Sequence, residues 1–269
     1  MRLPRTSRRQ DAAASGRGRP DDRHPGFVVE LFGLPGAGKS RLAIELVRAS
    51  ADLGLQLDRS SARVDPETPT SMRVPRKLGL AAAECARRPA RSGVAARAIL
   101  RSQFAGGAAG VPRWAHWLVM QRLLTSARAT PGAHLFDEGV LQALWSVGLR
   151  GDATAALERI AAVPERWALP DLVVFVSAPL DVLDRRLSAR ASRHSRLQAG
   201  DDARARRKEL ARGRALAERI LWWWADEVAD TRPVVRIDNG PEVTLEDAAS
   251  AAIRQIAHHV DTRGRGPRG

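Results

Sequence analysis

The sequence predicts an α/β fold, a parallel sheet with helices on both faces. Short apolar runs alternate along the chain with longer segments of helical character, and the first run feeds directly into a glycine-rich loop followed by a helix. A length of 269 residues at 44% hydrophobic content suits one sizeable core rather than two small ones. One domain is therefore expected over residues 26–261. The flanking stretches, a basic arm at 1–25 and a tail at 262–269, are expected to be disordered, because their low hydrophobicity cannot offset chain entropy.

The elements follow in order. FVVELF, residues 27–32, reads as a buried parallel strand ending in glycine. Residues 40–51 set Leu42, Ile44, Leu46 and Val47 among charged neighbours, a helix that Gly54 closes. A weaker strand is expected at 55–58, and Pro66, Pro69 and Pro75 then mark a loop. Residues 78–129 are Ala-rich and mostly helical, broken near Pro89 and again at Gly106, Gly107, Gly110 and Pro112. A short strand at 133–136 ends in Asp137-Glu138, and a helical stretch at 141–160 is interrupted at 148–151. The clearest strand, 172–176, is β-branched and apolar, introduced by Pro170-Asp171 and terminated by Pro179. A helix at 181–190 with Asp181 as its cap runs into an arginine-rich polar segment. A long helix at 203–228, a last strand at 234–237 and a final helix at 245–259 complete the chain, with no internal repeat.

Composition narrows the function. No stretch reaches the roughly 18 unbroken apolar residues of a membrane span, and the basic N-terminus leads into no apolar run of the signal-peptide kind, so a cytoplasmic protein without a membrane partner is expected. Cys85 is the only cysteine, which excludes an intrachain disulfide and a cysteine-based zinc site. The net charge of +14 would ordinarily suggest nucleic acid. Here the excess is almost wholly arginine, with Lys39, Lys77 and Lys208 the only lysines, and part of it lies in the two ends. Charge of that distribution reports non-specific attraction rather than a nucleic-acid site.

The chemistry concentrates in Gly33-Leu34-Pro35-Gly36-Ala37-Gly38-Lys39-Ser40, which fits G-x-x-x-x-G-K-[ST] and lies between a strand and a helix. Glycines let successive backbone N–H groups face one point, where the next helix adds its positive end. A phosphate chain would sit there, with Lys39 reaching the β and γ phosphates, the Ser40 hydroxyl on Mg²⁺ and Arg41 at the loop's edge. In a chain that fills its cationic positions with arginine, a lysine stands where a slim point charge fits and a guanidinium does not.

Asp137 and Glu138 should emerge at the carboxyl edge of the sheet, beside that loop. One carboxylate suits the Mg²⁺ shell and the other could take a proton from an acceptor hydroxyl; the sequence leaves open which does which. Arg186 and Arg190 share a helical face, and Arg193 and Arg196 continue into the polar segment, a grouping suited to closing over phosphates during phosphoryl transfer.

The order of phosphate loop, acidic strand end, PDLVVFVSAP and a helix bearing Arg186 and Arg190 resembles the thymidylate kinase and deoxynucleoside kinase group of P-loop kinases, over roughly residues 26–259. That resemblance implies a three-layer P-loop NTPase fold with five parallel strands in the order 2-3-1-4-5 and a lid at about 188–202 containing Arg193 and Arg196. It also implies ATP and Mg²⁺ as cofactors, a small-molecule acceptor, and an adenine-side loop after the strand Pro233-Val234-Val235-Arg236-Ile237-Asp238; a homodimer is compatible with it. This chain has Asp137-Glu138-Gly139 where thymidylate kinases usually carry Asp-Arg, and the loop's Pro35 looks more like adenylate kinase and small-antibiotic kinase versions, so the acceptor stays open. In this group the acceptor pocket draws on the loop after the second strand, here with Arg59, Arg63, Asp65 and Glu67, and on helices that here carry Trp114, Trp117 and Gln121. Trp222-Trp223-Trp224 reads instead as helix packing, since adjacent residues point in different directions.

A guanine-reading N-K-x-D motif is missing, as Asn239 is the only asparagine, and no ABC signature accompanies the loop. The expectation is an ATP-dependent kinase acting on a nucleoside, nucleotide or other small hydroxyl compound. The alternative is a regulatory ATP-binding protein that keeps the loop without acceptor chemistry.

Overall fold

The first strand, β1 (Phe27–Phe32), is apolar at five of six positions and buried at all six, which places it at the centre of a sheet rather than at an edge. A computed structural model of the chain describes residues 25–60, 70–161, 167–189, 203–227 and 232–264. β1 is joined by β2 (Leu57–Arg59), β3 (Ala133–Phe136), β4 (Leu172–Ser177) and β5 (Val234–Asp238) in one five-stranded sheet of order β2-β3-β1-β4-β5. Every pairing is parallel. This is the order that the sequence resemblance implies.

Nine helices are described: α1 (Lys39–Asp52), α2 (Thr70–Arg87), α3 (Pro89–Arg101), α4 (Val111–Arg128), α5 (Val140–Leu149), α6 (Ala153–Ala161), α7 (Leu180–Ser188), α8 (Ala203–Glu227) and α9 (Leu245–Gly264). α1 and α9 pack on each other over one face of the sheet, and α4 and α5 cover the other. α2 and α3 lie against α4, while α6 and α8 lie against α5. The interior of that second face is therefore dry enough to bury all ten residues of α5. Trp145 within it donates its indole N–H to the Gly213 carbonyl of α8 at 2.8 Å.

Several expectations need adjustment. α2 begins at Thr70 and carries Pro75 inside it, where a loop was expected. Packing of α2 along α4 outweighs the backbone hydrogen bond that the proline removes. β2 is shifted to Leu57–Arg59, which brings Arg59 into the sheet at its carboxyl end. Asp181 is not the cap of α7: Pro179 holds that position and Asp181 pairs with Arg185 one turn on, at 3.3 Å. The helical stretch breaks at 150–152, between α5 and α6, where 148–151 was expected, and Trp222 is exposed while Trp223 and Trp224 are buried.

At the amino-terminal edge of the sheet a buried carboxylate fastens four elements. Asp171 donates its backbone N–H to the Val28 carbonyl at 2.7 Å and accepts the Val28 N–H on its side chain at 2.8 Å, extending the β1–β4 ladder by one closed ring. Arg128, at the end of α4, reaches the other carboxylate oxygen at 2.6 Å, and Arg263, near the end of α9, bonds to the same oxygen. Both guanidiniums sit at helix C-termini, where the helix dipole also favours a cation. No described helix is long and apolar enough to cross a membrane.

Candidate functional site

At the opposite, carboxyl edge, the chain leaves β1 through Gly33 and turns back into α1. Gly33 has φ +152 and a Cβ there would stand 2.3 Å from the Val176 carbonyl, so only glycine lets the loop pass this close to β4. Gly38 precedes α1 at φ +92, and its missing Cβ leaves the space that the Asn239 side-chain amide occupies. Asn239 follows β5, donates its amide to the Ala37 carbonyl at 2.7 Å and its backbone N–H to the Ser177 carbonyl at 2.8 Å. The loop after β5 thus holds the turn between β1 and α1 in place, a role for the lone asparagine that its sequence setting did not disclose.

Lys39 opens α1 and turns its ammonium back over the loop, donating to the carbonyls of Gly33 at 2.7 Å and Leu34 at 3.1 Å. That posture places a point charge at the mouth of the loop, and a phosphate chain would compete with the two carbonyls for it. Ser40 and Arg41 are exposed on the first turn of α1, while Leu34 and Ala37 are buried beneath the loop. Leu34 and Ala37 therefore contribute backbone and packing, and Ser40 contributes an accessible hydroxyl.

The acidic pair divides in the bend that follows β3. Asp137 is 7% exposed and faces inward, whereas Glu138 is exposed. Asp137 accepts a charge-assisted hydrogen bond from Arg59 of the neighbouring β2 at 2.7 Å. Arg59 thus stands beside the acidic turn, its guanidinium paired with Asp137 from the neighbouring strand.

On the other side, α7 packs under the loop. Arg186 reaches the Gly36 carbonyl at 3.5 Å, and Asp184 two residues earlier is bonded by Arg206 at the start of α8. The hydrogen bond from Arg206, with its charge, holds the Asp184 carboxyl below the usual carboxylate range. Arg190, Arg193 and Arg196, and likewise Arg63, Asp65 and Glu67, lie outside the described residues.

Three expected acceptor contacts are otherwise employed. Trp117 is buried in the core, edge-to-face with Trp167 at 5.5 Å. Gln121 exchanges two hydrogen bonds with the backbone of Ala168, at 2.9 and 3.2 Å, and also accepts from Arg91. Trp114 donates to the Ser92 carbonyl at 3.2 Å. A polar residue on a helix facing the core must satisfy itself there, which a one-dimensional pattern does not show.

The residue that sequence reasoning missed is Glu30. It is fully buried in β1, opposite Phe136 of β3, and its carboxyl accepts the N–H groups of Leu141 at 2.8 Å and Gln142 at 3.1 Å. Burial pushes this carboxyl up to about 8, against the opposing pull of the α5 backbone N–H groups and the Lys39 charge. Between the ordinary value of 4.5 and about 8 the folded state holds a proton that the unfolded chain has released. Stability therefore falls as pH rises through that window. Thermal melts of Glu30→Gln and wild type should accordingly diverge in favour of the variant from pH 5 to pH 8, and remain parallel above it. The signal was present in FVVELF: a carboxylate within an otherwise apolar buried strand.

The donors present fit a magnesium ion. No group of three or more His, Cys, Asp or Glu that could hold a metal occurs among the described residues. Magnesium takes one or two protein oxygens together with water and substrate phosphates, and Ser40 and Asp137 are the residues whose oxygens would supply them at this edge.

No protein-family model matches the chain, and no curated protein matches it. Solved structures similar to it include deoxyadenosine kinase from M. mycoides with the products dCMP and a flexible dCDP bound, at 13% identity and a TM-score of 0.49. The same enzyme with bound dATP aligns at 14% identity and 0.49, and with bound dCTP at 14% and 0.47. Each alignment covers 86% of this chain and 100% of the other. A likeness of this degree transfers no residue roles, and the functional reading rests on the site's own geometry.

Proposed function

We propose that the chain is an ATP-dependent kinase that transfers the γ-phosphoryl group to a small hydroxyl-bearing acceptor of the nucleoside or nucleotide class. One observation carries the reading: Lys39 folded over a loop of backbone N–H groups at the same sheet edge as the inward Asp137 and the outward Glu138. The loop 33–40 would cradle the phosphates, with Arg41 flanking it. Lys39 would exchange the Gly33 and Leu34 carbonyls for β and γ phosphate oxygens.

Ser40 and Asp137 would hold magnesium, which when bound would neutralise phosphate charge. We assign the proton of an acceptor hydroxyl to Glu138 rather than Asp137, a reading supported by Glu138's exposure and by Asp137's pairing with Arg59. Arg186 beside Gly36 would meet the phosphate oxygens, and the sequence assigns Arg190, Arg193 and Arg196 to the same charge.

A second reading, a regulatory ATP-binding protein without acceptor chemistry, draws on the Arg59–Asp137 ion pair, which Asp137 must share to meet a metal. The two readings separate in one assay: Mg²⁺-dependent ADP formation from ATP against nucleosides, nucleotides, sugars and aminocyclitols, with Lys39→Ala as control. The kinase reading expects one acceptor class to stimulate turnover and the Lys39→Ala protein to lose that stimulation by roughly 10²-fold or more, the scale of removing one preorganised charge contact. ATP binding with no stimulated turnover by any acceptor would favour the regulator.

A further inference from the structure

We infer that Glu30 is a positioning residue: the hydrogen bonds of its carboxyl to the start of α5 set the Asp137–Glu138 turn relative to the phosphate loop. The inference rests on the kinase reading of the site and assigns a role to a residue outside the loop and the acidic pair.

Glu30 lies on the strand that becomes the phosphate loop three residues later, and it is paired with Phe136, the residue before Asp137. Its side chain then crosses to the far side of the acidic turn, to Leu141 and Gln142. Residue 30 therefore joins the base of the loop to both ends of the turn that carries the carboxylates, to one end through strand pairing and to the other through its carboxyl.

The turn is shaped around this contact. A Cβ on Gly139 would lie 2.3 to 2.8 Å from the Glu30 carboxyl, so any side chain at 139 would displace it. The backbone of Gly139 is extended, at φ −136, and the glycine is needed for close approach alone. α5 has no side-chain cap from its own N-cap residue, and all ten of its residues are buried. Water cannot serve its first N–H groups, and Glu30 takes two of them.

Stability alone does not account for a carboxyl here. The Glu30 carboxyl is wholly desolvated, which opposes the charged form despite the N–H groups of Val140, Leu141 and Gln142, a cost that an apolar residue at this strand position would not carry. The arrangement makes sense where the location of the acidic turn matters more than the energy of the cap.

The test compares Glu30→Leu, which removes the acceptor, with Glu30→Gln, which keeps an oxygen in place, both in the full-length protein. Amide hydrogen exchange, which needs no activity, should show protection of Leu141 and Gln142 lost in the leucine variant and retained in the glutamine variant. With the acceptor found in the panel above, Glu30→Leu should lower kcat by roughly 10²-fold, the scale of an ångström's misplacement, with the KM for ATP within about twofold. Glu30→Gln should recover most of that loss.

Should wild type turn over no acceptor, the kinase reading fails separately, and the readout becomes the gain in ATP affinity on adding Mg²⁺, expected to vanish in the leucine variant and survive in the glutamine one. Three results would overturn the inference. They are unchanged kcat or unchanged Mg²⁺ gain in Glu30→Leu, a joint loss of ATP affinity and turnover tracking its thermal stability, or a glutamine variant as defective as the leucine one.

Discussion

Asp171→Ala is expected to lower stability by roughly 3 kcal/mol, a fall in melting temperature of roughly 6–12 °C for a domain of this size. The carboxylate is 3% exposed, and its removal orphans three donors at once: the Val28 N–H, Arg128 and Arg263. Arg128 has a side chain 23% exposed and Arg263 one 44% exposed, so water recovers part of what they lose and the expected cost stays at the lower end for a broken buried pair. Arg232 nearby is already lowered by burial and by repulsion from Arg128 and Arg263, partly offset by Asp171, and the substitution removes that offset. Asp171→Asn keeps an oxygen for the Val28 N–H and should lose distinctly less. Below the melting range, ATP affinity should be the same in both variants and wild type, because Asp171 lies at the sheet edge opposite the phosphate loop. Thermal melts with ATP titration check both halves of this expectation.

Asp137→Asn should have the larger effect on chemistry. The substitution preserves shape and leaves the side chain an oxygen for Arg59, but removes the charge from the inward position beside the phosphate loop. If Asp137 holds the metal, turnover falls by roughly 10²–10³-fold and the Mg²⁺ concentration needed for half-maximal rate rises. ATP binding without Mg²⁺ should change little, since the loop and Lys39 are untouched. A Glu138→Gln protein separates the two carboxylates: its Mg²⁺ requirement should match wild type while turnover falls, because an exposed base acts on the acceptor rather than the ion. A normal Mg²⁺ requirement in Asp137→Asn would reverse the assignment.

The strand, glycine-rich turn and helix over residues 27–52 and the parallel sheet were legible because their signals are local. A glycine-lysine-serine pattern between an apolar run and a helix reports its own backbone, and strands buried on both faces stand out as unbroken apolar runs. The position of Asp137-Glu138 at the loop's edge followed from the strand it terminates. Packing of the bend after β3, with Arg59 across it, decided which of the two is buried. Pro75 misled because a proline speaks only for its own backbone, whereas the face that α2 lays on α4 is a property of two distant segments.

What tertiary structure alone decided is how distant residues meet. Arg59 and Asp137 are 78 positions apart, Glu30 and Leu141 are 111, and Ala37 and Asn239 are 202. No spacing rule spans such separations, since the contacts exist only once five strands have been ordered and registered. The same holds for Trp117 and Gln121, whose side chains were candidates on a helix until the packing of α4 turned them to the core and to Ala168. The sequence by itself determined the glycine-rich turn into α1, the acidic strand end and the layers that carry them. Folding determined their braces, because a buried polar side chain is given its partner by the neighbours that exclude water around it.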